Sequence, residues 1–395
     1  MCRKSDVLRW PLVPLLPAIL EIETMKHLLC CVTALVLTMP GVFAKQITAS
    51  ELGQIDEIYS FENGFEGWTI KGSHINPDLP QPITISQTRA ADGLTSLQFD
   101  VNRDAFGQFL WVEKVFSVEP SQVYDINIDY ALGTRDCCSN PFALLTGALR
   151  NTPVTLQDMN PAYQGIVDNG ENTFSDYKWV DKQYAITTRS DEQGEFHLLI
   201  GFFGNFEARR IEYIDRLHVR IARRTEQPEF YSFENDFEGW EPRAIDLNAS
   251  AGSPQDWSIV PSSQSARDGN YSLKFLSTNS AASAKAFIIK SFTVKRKQTY
   301  QVKVEYEFIN GSETLGAKII TGVLRVRPET EEDIISLYQE KAKKPDVYGW
   351  QHKQYEFKMG SKKSKVVYVV IGIAANNPGH HLYYLDNVCV TLQQQ

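Results

Sequence analysis

Apolar positions along this chain recur mainly with a period of two. Val123 to Tyr130, Tyr300 to Phe308 and Val366 to Ile373 follow that pattern, are rich in β-branched and aromatic residues, and are separated by Gly, Asn, Asp and Ser. Such segments predict strands with one face on a core, because branched and aromatic side chains suit a pleated, half-buried surface. One stretch departs from the rule: over Glu329 to Lys343, Ile334, Ile335, Leu337 and Tyr338 share a face at helical spacing beside charged neighbours. A short helix is expected there. Strands at regular intervals with turn chemistry between them predict an all-β fold of antiparallel sandwich, or jelly-roll, type.

The pattern occurs twice. Tyr59-Ser-Phe-Glu-Asn-Gly-Phe-Glu-Gly-Trp68 returns as Tyr231-Ser-Phe-Glu-Asn-Asp-Phe-Glu-Gly-Trp240, and the register then persists. Ala91-Asp92-Gly93 with Ser96-Leu97 matches Arg267-Asp268-Gly269 with Ser272-Leu273. Thr146-Gly147-Ala148-Leu149 matches Thr321-Gly322-Val323-Leu324, and Tyr213-Ile214-Asp215 matches Tyr384-Leu385-Asp386. An internal repeat of this length, in a chain of 395 residues, predicts two tandem jelly-roll domains, at 57–221 and 230–395, joined by a connector at 222–229 that carries Pro228. The helical stretch falls in an insertion of the second repeat, and the first repeat has Asn151 to Lys178 in its place. Residues kept in both copies, such as Trp68 and Trp240, are expected to anchor the core.

The N-terminal segment belongs to neither repeat. From Met25 the order is Lys26, an apolar run from Leu28 to Met39, then Val42-Phe43-Ala44, the layout of a secretory signal peptide. Translation is expected to start at Met25, with 1–24 a dispensable extension, 25–44 a signal peptide cleaved near Ala44, and 45–56 a linker. The run is too short for a membrane span, so a secreted or periplasmic protein without stable membrane insertion is expected. A net charge of −8 argues against nucleic acid as a partner. Of six cysteines, only Cys137, Cys138 and Cys389 would survive cleavage, which is no disulfide framework. Cys137-Cys138 is open to three readings: a strained vicinal disulfide, a soft-metal site, or two loop thiols.

The phrase Ser-Phe-Glu-Asn-x-Phe-Glu-Gly-Trp, the middle Asp-Gly-x-x-Ser-Leu and the closing Tyr-[Ile/Leu]-Asp-x-[Leu/Val]-x-Val together resemble the jelly-roll carbohydrate-binding modules of the galactose-binding-domain-like superfamily, in particular those attached to xylanases and glucanases. The resemblance spans nearly all of the chain after the signal, twice. It implies a polysaccharide or glycan ligand. It also implies a structural calcium ion where the first and last strands meet, with Glu62 and Asp215 as ligands in the first repeat and Glu234 and Asp386 in the second. Chemistry is compatible with that implication, because a carboxylate in an otherwise apolar strand is costly unless paired or metal-bound. The residues themselves leave open a second role, in which each carboxylate accepts backbone N–H bonds.

Sugar rings stack their C–H faces on aromatic side chains while their hydroxyls need hydrogen-bonding groups. The candidate binding residues are therefore aromatics, amides and imidazoles at which the two copies diverge. They are Trp111, Phe202, Phe203 and Phe206 in the first repeat, and Trp257, Asn376, His380 and His381 in the second. Phe106, Gln108, Tyr163, Phe287, Tyr348 and Asn377 are secondary candidates. The segment 201–206, three Phe flanked by glycines, is expected to form a loop. No Gly-x-Ser-x-Gly elbow, phosphate-binding Gly-rich loop, His-Glu-x-x-His run or Cys-x-x-Cys pair is present. The expectation is an exported, non-catalytic glycan-binding protein. The alternatives are a structural or adhesion protein that binds another protein through its sandwiches and, ranking lower, a polysaccharide-degrading enzyme.

Overall fold

The structure is a computed structural model and describes residues 54–135, 142–167, 177–204, 209–245, 257–277, 285–311, 317–342, 349–361, 365–375 and 379–395. The signal peptide, Cys137-Cys138, Phe206, Tyr348, Asn376 and Asn377 lie outside the described residues.

The first repeat comprises β1 (Gln54–Tyr59), β2 (Thr69–Gly72), β3 (Ile83–Ser86), β4 (Ser96–Val101), β5 (Phe109–Ser117), β6 (Val123–Thr134), β7 (Ala143–Leu149), β8 (Tyr163–Ile166), β9 (Lys178–Arg189), β10 (Glu195–Phe203) and β11 (Arg210–Arg223). The second comprises β12 (Glu229–Tyr231), β13 (Glu241–Ile245), β14 (Trp257–Ser262), β15 (Ser272–Ser277), β16 (Lys285–Thr293), β17 (Thr299–Asn310), β18 (Lys318–Leu324), β19 (Tyr338–Lys341), β20 (Gln351–Gly360), β21 (Val366–Ala374) and β22 (His381–Gln394). In the first repeat one sheet runs β3-β4-β11-β6-β9, with β1 also paired to β11, and faces a second sheet β2-β5-β10-β7-β8. The second repeat reproduces both: β14-β15-β22-β17-β20 with β12 on β22, and β13-β16-β21-β18-β19. Every pairing is antiparallel. These are two jelly-roll sandwiches, as the duplicated alternation predicts. The first strand begins at Gln54, inside the segment read from the sequence as linker.

Each core lies between its two sheets. In β5, Leu110 and Val112 point inward, and in β10 Phe196, Leu198, Ile200 and Phe202 do the same. Burial of side chains of this size contributes about 1.5–3 kcal/mol each. Trp68 and Trp240 anchor the two cores as expected, each 3% exposed and packed edge-on against Tyr59 and Tyr231 respectively.

The repeated motifs have local explanations. Glu62 accepts N–H bonds from Leu94 and Thr95 at 2.7 and 2.8 Å, and Glu234 accepts them from Asn270 and Tyr271. Gly93 precedes this contact with φ of 68°, and a Cβ there would stand 2.3 Å from Glu62 Oε1. The glycine of Asp-Gly-x-x-Ser-Leu is therefore set by the glutamate of the opening phrase. The serine closes the same loop, Ser96 Oγ donating to Arg89 O and Ser272 Oγ to Ser265 O.

Two departures from expectation concern the insertions. The predicted helix is only one turn, α1 (Glu331–Ile334), started by a capping box of Thr330 and Asp333. A 3-10 turn at Ile335–Leu337 follows, and the chain then enters β19. The apolar face read as helical is used instead to cover a sheet: Ile334 and Leu337 pack with Phe287, Ile289, Ile320 and Val370. In the first repeat a 3-10 turn, Gln157–Ala162, does the same work with Met159 and Ala162. At the junction of the repeats Val123, Phe230 and Cys389 form a small buried cluster, where burial pushes the Cys389 thiol up to about 12.

Candidate functional site

Because each insertion closes over the outer face of a sheet, several aromatics picked out by the sequence are covered. Trp111 is 6% exposed and lies beneath Met159 and Ala162. Its Nε1–H donates to Glu113 Oε2 at 3.2 Å, and Glu113 Oε1 accepts from Thr152 Oγ1 at 2.5 Å and His197 Nδ1 at 2.9 Å. Burial would raise the Glu113 carboxyl, but the bonds from Thr152, His197 and Trp111 outweigh it and hold the group below its usual range. Trp111 is thus a covered sheet residue and not an exposed platform. Phe202 is fully buried and meets Phe99 edge-on at 5.0 Å between centroids. The expected loop at 201–204 is the end of strand β10 and its first following residue. Gly201 is there because a Cβ would fall 2.1 Å from Leu110 O and 2.6 Å from Trp111 Cβ, so the glycine lets Trp111 cross the strand. Phe287 is fully buried in the equivalent position of the second repeat.

The second-repeat candidates scatter. Trp257 is half-buried and packs against the second core. His381 is buried and stacked on Tyr383, whereas its neighbour His380 is exposed, so the two imidazoles do not share a face.

The carboxylates expected to bind calcium are turned toward donors. Asp215 Oδ2 accepts from Ala91 N and Asp92 N at 2.7 and 3.0 Å, and Oδ1 from Arg216 N at 2.7 Å. Asp386 repeats this with Arg267 N, Asp268 N and Asn387 N. Both aspartates sit where the last strand shifts register against β6 or β17, and the following residues, Arg216 and Asn387, have positive φ. Burial pushes Asp215 up, and it pushes Asp386 well above the usual carboxylate range with help from the Asp268 charge. Calcium needs converging oxygens, yet here the oxygens converge on N–H groups. Among the described residues no three acidic, His or Cys side chains are disposed to hold a metal ion. The residues fit the backbone-acceptor role better than they fit the ion.

What the fold does build is a cleft between the repeats, of about 410 Å³. From the first repeat come Phe109 and Phe203, stacked with centroids 4.0 Å apart, together with Tyr163 and Asn160 of the insertion. From the second come Trp350, Tyr384 and Gln264. Asn160 Nδ2 donates to Ser263 O at 3.2 Å and so ties the insertion to the opposite wall. Gln264 Oε1 accepts from Tyr384 Oη at 3.1 Å and Lys274 Nζ at 2.7 Å, and burial raises the Tyr384 phenol. The walls thus bring aromatic rings and amide groups of both repeats together. Of the sequence candidates Phe203 and Tyr163 reach this cleft. Phe109, Trp350, Tyr384, Asn160 and Gln264 are not among the residues the sequence points to for binding; the one signal toward them is that Asn160 lies in, and Trp350 follows, an insertion at which the two copies differ.

No family model matches the chain, and no curated protein matches it either. Solved structures do. The chain is similar to the N-terminal CBM22-1-CBM22-2 tandem domain of Paenibacillus barcinonensis Xyn10C, with 17% identity over 85% of this chain and 97% of that one, at a TM-score of 0.28. The CBM22-1 xylan-binding domain of the same protein matches at 18% identity over 43% of this chain and 95% of that chain, with a TM-score of 0.25. A third similar structure is described as a carbohydrate-binding module of the β-sandwich superfamily with promiscuous specificity, at 11% identity over 82% and 97%, with a TM-score of 0.25. Among the described residues no helix is long and apolar enough to cross a membrane.

Proposed function

We propose that this is an exported, non-catalytic carbohydrate-binding protein whose glycan site is the cleft between its two sandwiches. The observation that carries the reading is the composition of that cleft: stacked Phe109 and Phe203, Tyr163, Trp350 and Tyr384 beside the amides of Asn160 and Gln264. Ring faces take the C–H surface of a sugar and amides take its hydroxyls. Export rests on the order of charged, apolar and small residues from Met25 to Ala44. Xylan, which one of the similar modules binds, is the first polymer to try.

The test is titration calorimetry of residues 45–395 against a panel of soluble oligosaccharides, xylo-oligosaccharides included. One ligand class should bind, and Trp350→Ala and Tyr163→Ala should each weaken it roughly 5- to 10-fold, as the loss of about 1–1.4 kcal/mol from one stacked ring implies. Retention of no glycan, or full affinity in both variants, would remove the proposal. A protein partner is the second reading, favoured by Val154 and Leu156 of the first insertion, which are 89% and 62% exposed. In that case Val154→Ser, outside the cleft lining, and not the cleft variants, would abolish binding.

A further inference from the structure

The carboxylate cluster of the second repeat is completed by the first. Asp268 is fully buried and stands beside Asp386, whose Oδ2 accepts the Asp268 N–H at 3.1 Å. Glu234 holds the turn that follows through Asn270 and Tyr271. Into this group reaches Arg150, the residue after β7 of the other repeat, with Nη2 2.9 Å from Asp268 Oδ2 and 3.3 Å from Ser232 Oγ. Its guanidinium feels the charges of Asp268, Glu234 and Asp386 together, which raise its already high pKa. Strand β9 adds further contacts: Thr188 Oγ1 donates to Asp268 Oδ2 at 2.6 Å, Asn387 Nδ2 donates to Thr187 O at 2.8 Å, and Arg267 Nη2 donates to Ala185 O at 2.7 Å.

We propose that Arg150 is an internal counter-cation: it meets the buried Asp268 carboxylate from across the repeat boundary, in place of any bound metal, so that the second sandwich is electrostatically complete only when docked on the first. Comparison of the copies supports this. The matching arginine of the second repeat, Arg325, stays within its own repeat and donates to Gly360 O at 2.7 Å. The matching aspartate of the first, Asp92, is exposed and accepts its neighbour's N–H from Gly93. One pair of duplicated residues has thus become an interface in a single direction, from the first repeat to the second. An arginine suits the task because it stays protonated when buried, where a lysine would lose its proton more readily.

The test is thermal unfolding of residues 45–395, by calorimetry with calcium and with chelator, for the wild type, Arg150→Met, Asp268→Asn and the double variant. Wild type should be indifferent to calcium. Arg150→Met leaves a buried carboxylate without its cation, so a transition lower by roughly 6–20 °C is expected, with calcium and with chelator alike. The Arg150→Met, Asp268→Asn double variant should be more stable than the sum of the single effects predicts. Should Arg150→Met fail to fold, Arg150→Lys serves instead, with a smaller shift in the same direction. A wild-type transition that falls on chelation, an Arg150 variant that melts like wild type, or strictly additive single effects would each overturn the proposal.

Discussion

Replacing Asp215 by alanine is the sharpest test of why an acid sits in an otherwise apolar last strand. The carboxylate is fully buried and accepts three N–H groups, from Ala91, Asp92 and Arg216. A buried donor left unmatched costs about 1–3 kcal/mol, so three sum to roughly 3–9 kcal/mol. Burial already raises this carboxyl, so truncation also releases part of a desolvation cost, and the lower half of that range, about 3–6 kcal/mol, is expected. For a domain of this size the shift in Tm is about 6–24 °C. Asp215→Asn is the informative companion. Its one carbonyl oxygen can serve Ala91 and Asp92, while its NH2 faces the Arg216 N–H, so only one donor is lost and the cost falls to about 1–3 kcal/mol. The assay is urea unfolding followed by calorimetry, each with calcium and with chelator. An alanine variant within about 1 kcal/mol of wild type would refute the hydrogen-bond account. So would an asparagine variant as damaged as alanine in a protein that chelator also destabilises, since a metal-held carboxylate behaves that way.

Three further predictions follow from neighbouring geometry. Gly93→Ala should destabilise the first repeat by about 1–3 kcal/mol, because the new Cβ meets Glu62 Oε1 at 2.3 Å at a backbone φ of 68°; chemical denaturation measures it, and a neutral result would show that the Glu62 contact is dispensable. The Glu307 hydrogen bond, outweighing burial, raises His352 above its ordinary value. Its contribution to stability is therefore present in full below the unfolded-state value of about 6.5 and is lost as pH climbs through the raised folded value. Unfolding of wild type and His352→Phe from pH 5 to 9 should show the two curves converging at the alkaline end, and parallel curves would reject the assignment. Met159→Ala should loosen the insertion over Trp111 at a cost of about 2–3 kcal/mol and should weaken glycan binding as well, because Met159 also lines the cleft.

The fold was legible because a jelly roll writes itself in local terms. Strand alternation, the glycine forced by Glu62, and the aspartate that takes three backbone donors each leave a residue type at a fixed place, and duplication prints every one of them twice. The binding candidates were not legible in the same way. Alternation within β5 places Leu110 and Trp111 on opposite faces, and the structure does the same. That alternation carried no sign that a 3-10 turn some fifty residues later would cover the outer one. Phe202 was misplaced because glycines suggest loops, whereas Gly201 makes room for a tryptophan on the adjacent strand. The cleft is a product of how two sandwiches meet. Trp350 and Phe203 come from different repeats, and no spacing rule within one copy relates them.

The buried thiol at the junction gives the molecule a clock. With its pKa pushed up to about 12, Cys389 has only about one part in 10⁵ of thiolate at neutral pH, and its sulfur is shielded by Val123 of one repeat and Phe230 of the next. An aqueous disulfide reagent can reach it only when these residues part. In residues 45–395 with Cys137 and Cys138 replaced by serine, the rate of labelling at Cys389 would therefore count openings of the seam one at a time. It would separate brief parting of the two sandwiches from the far rarer unravelling of either.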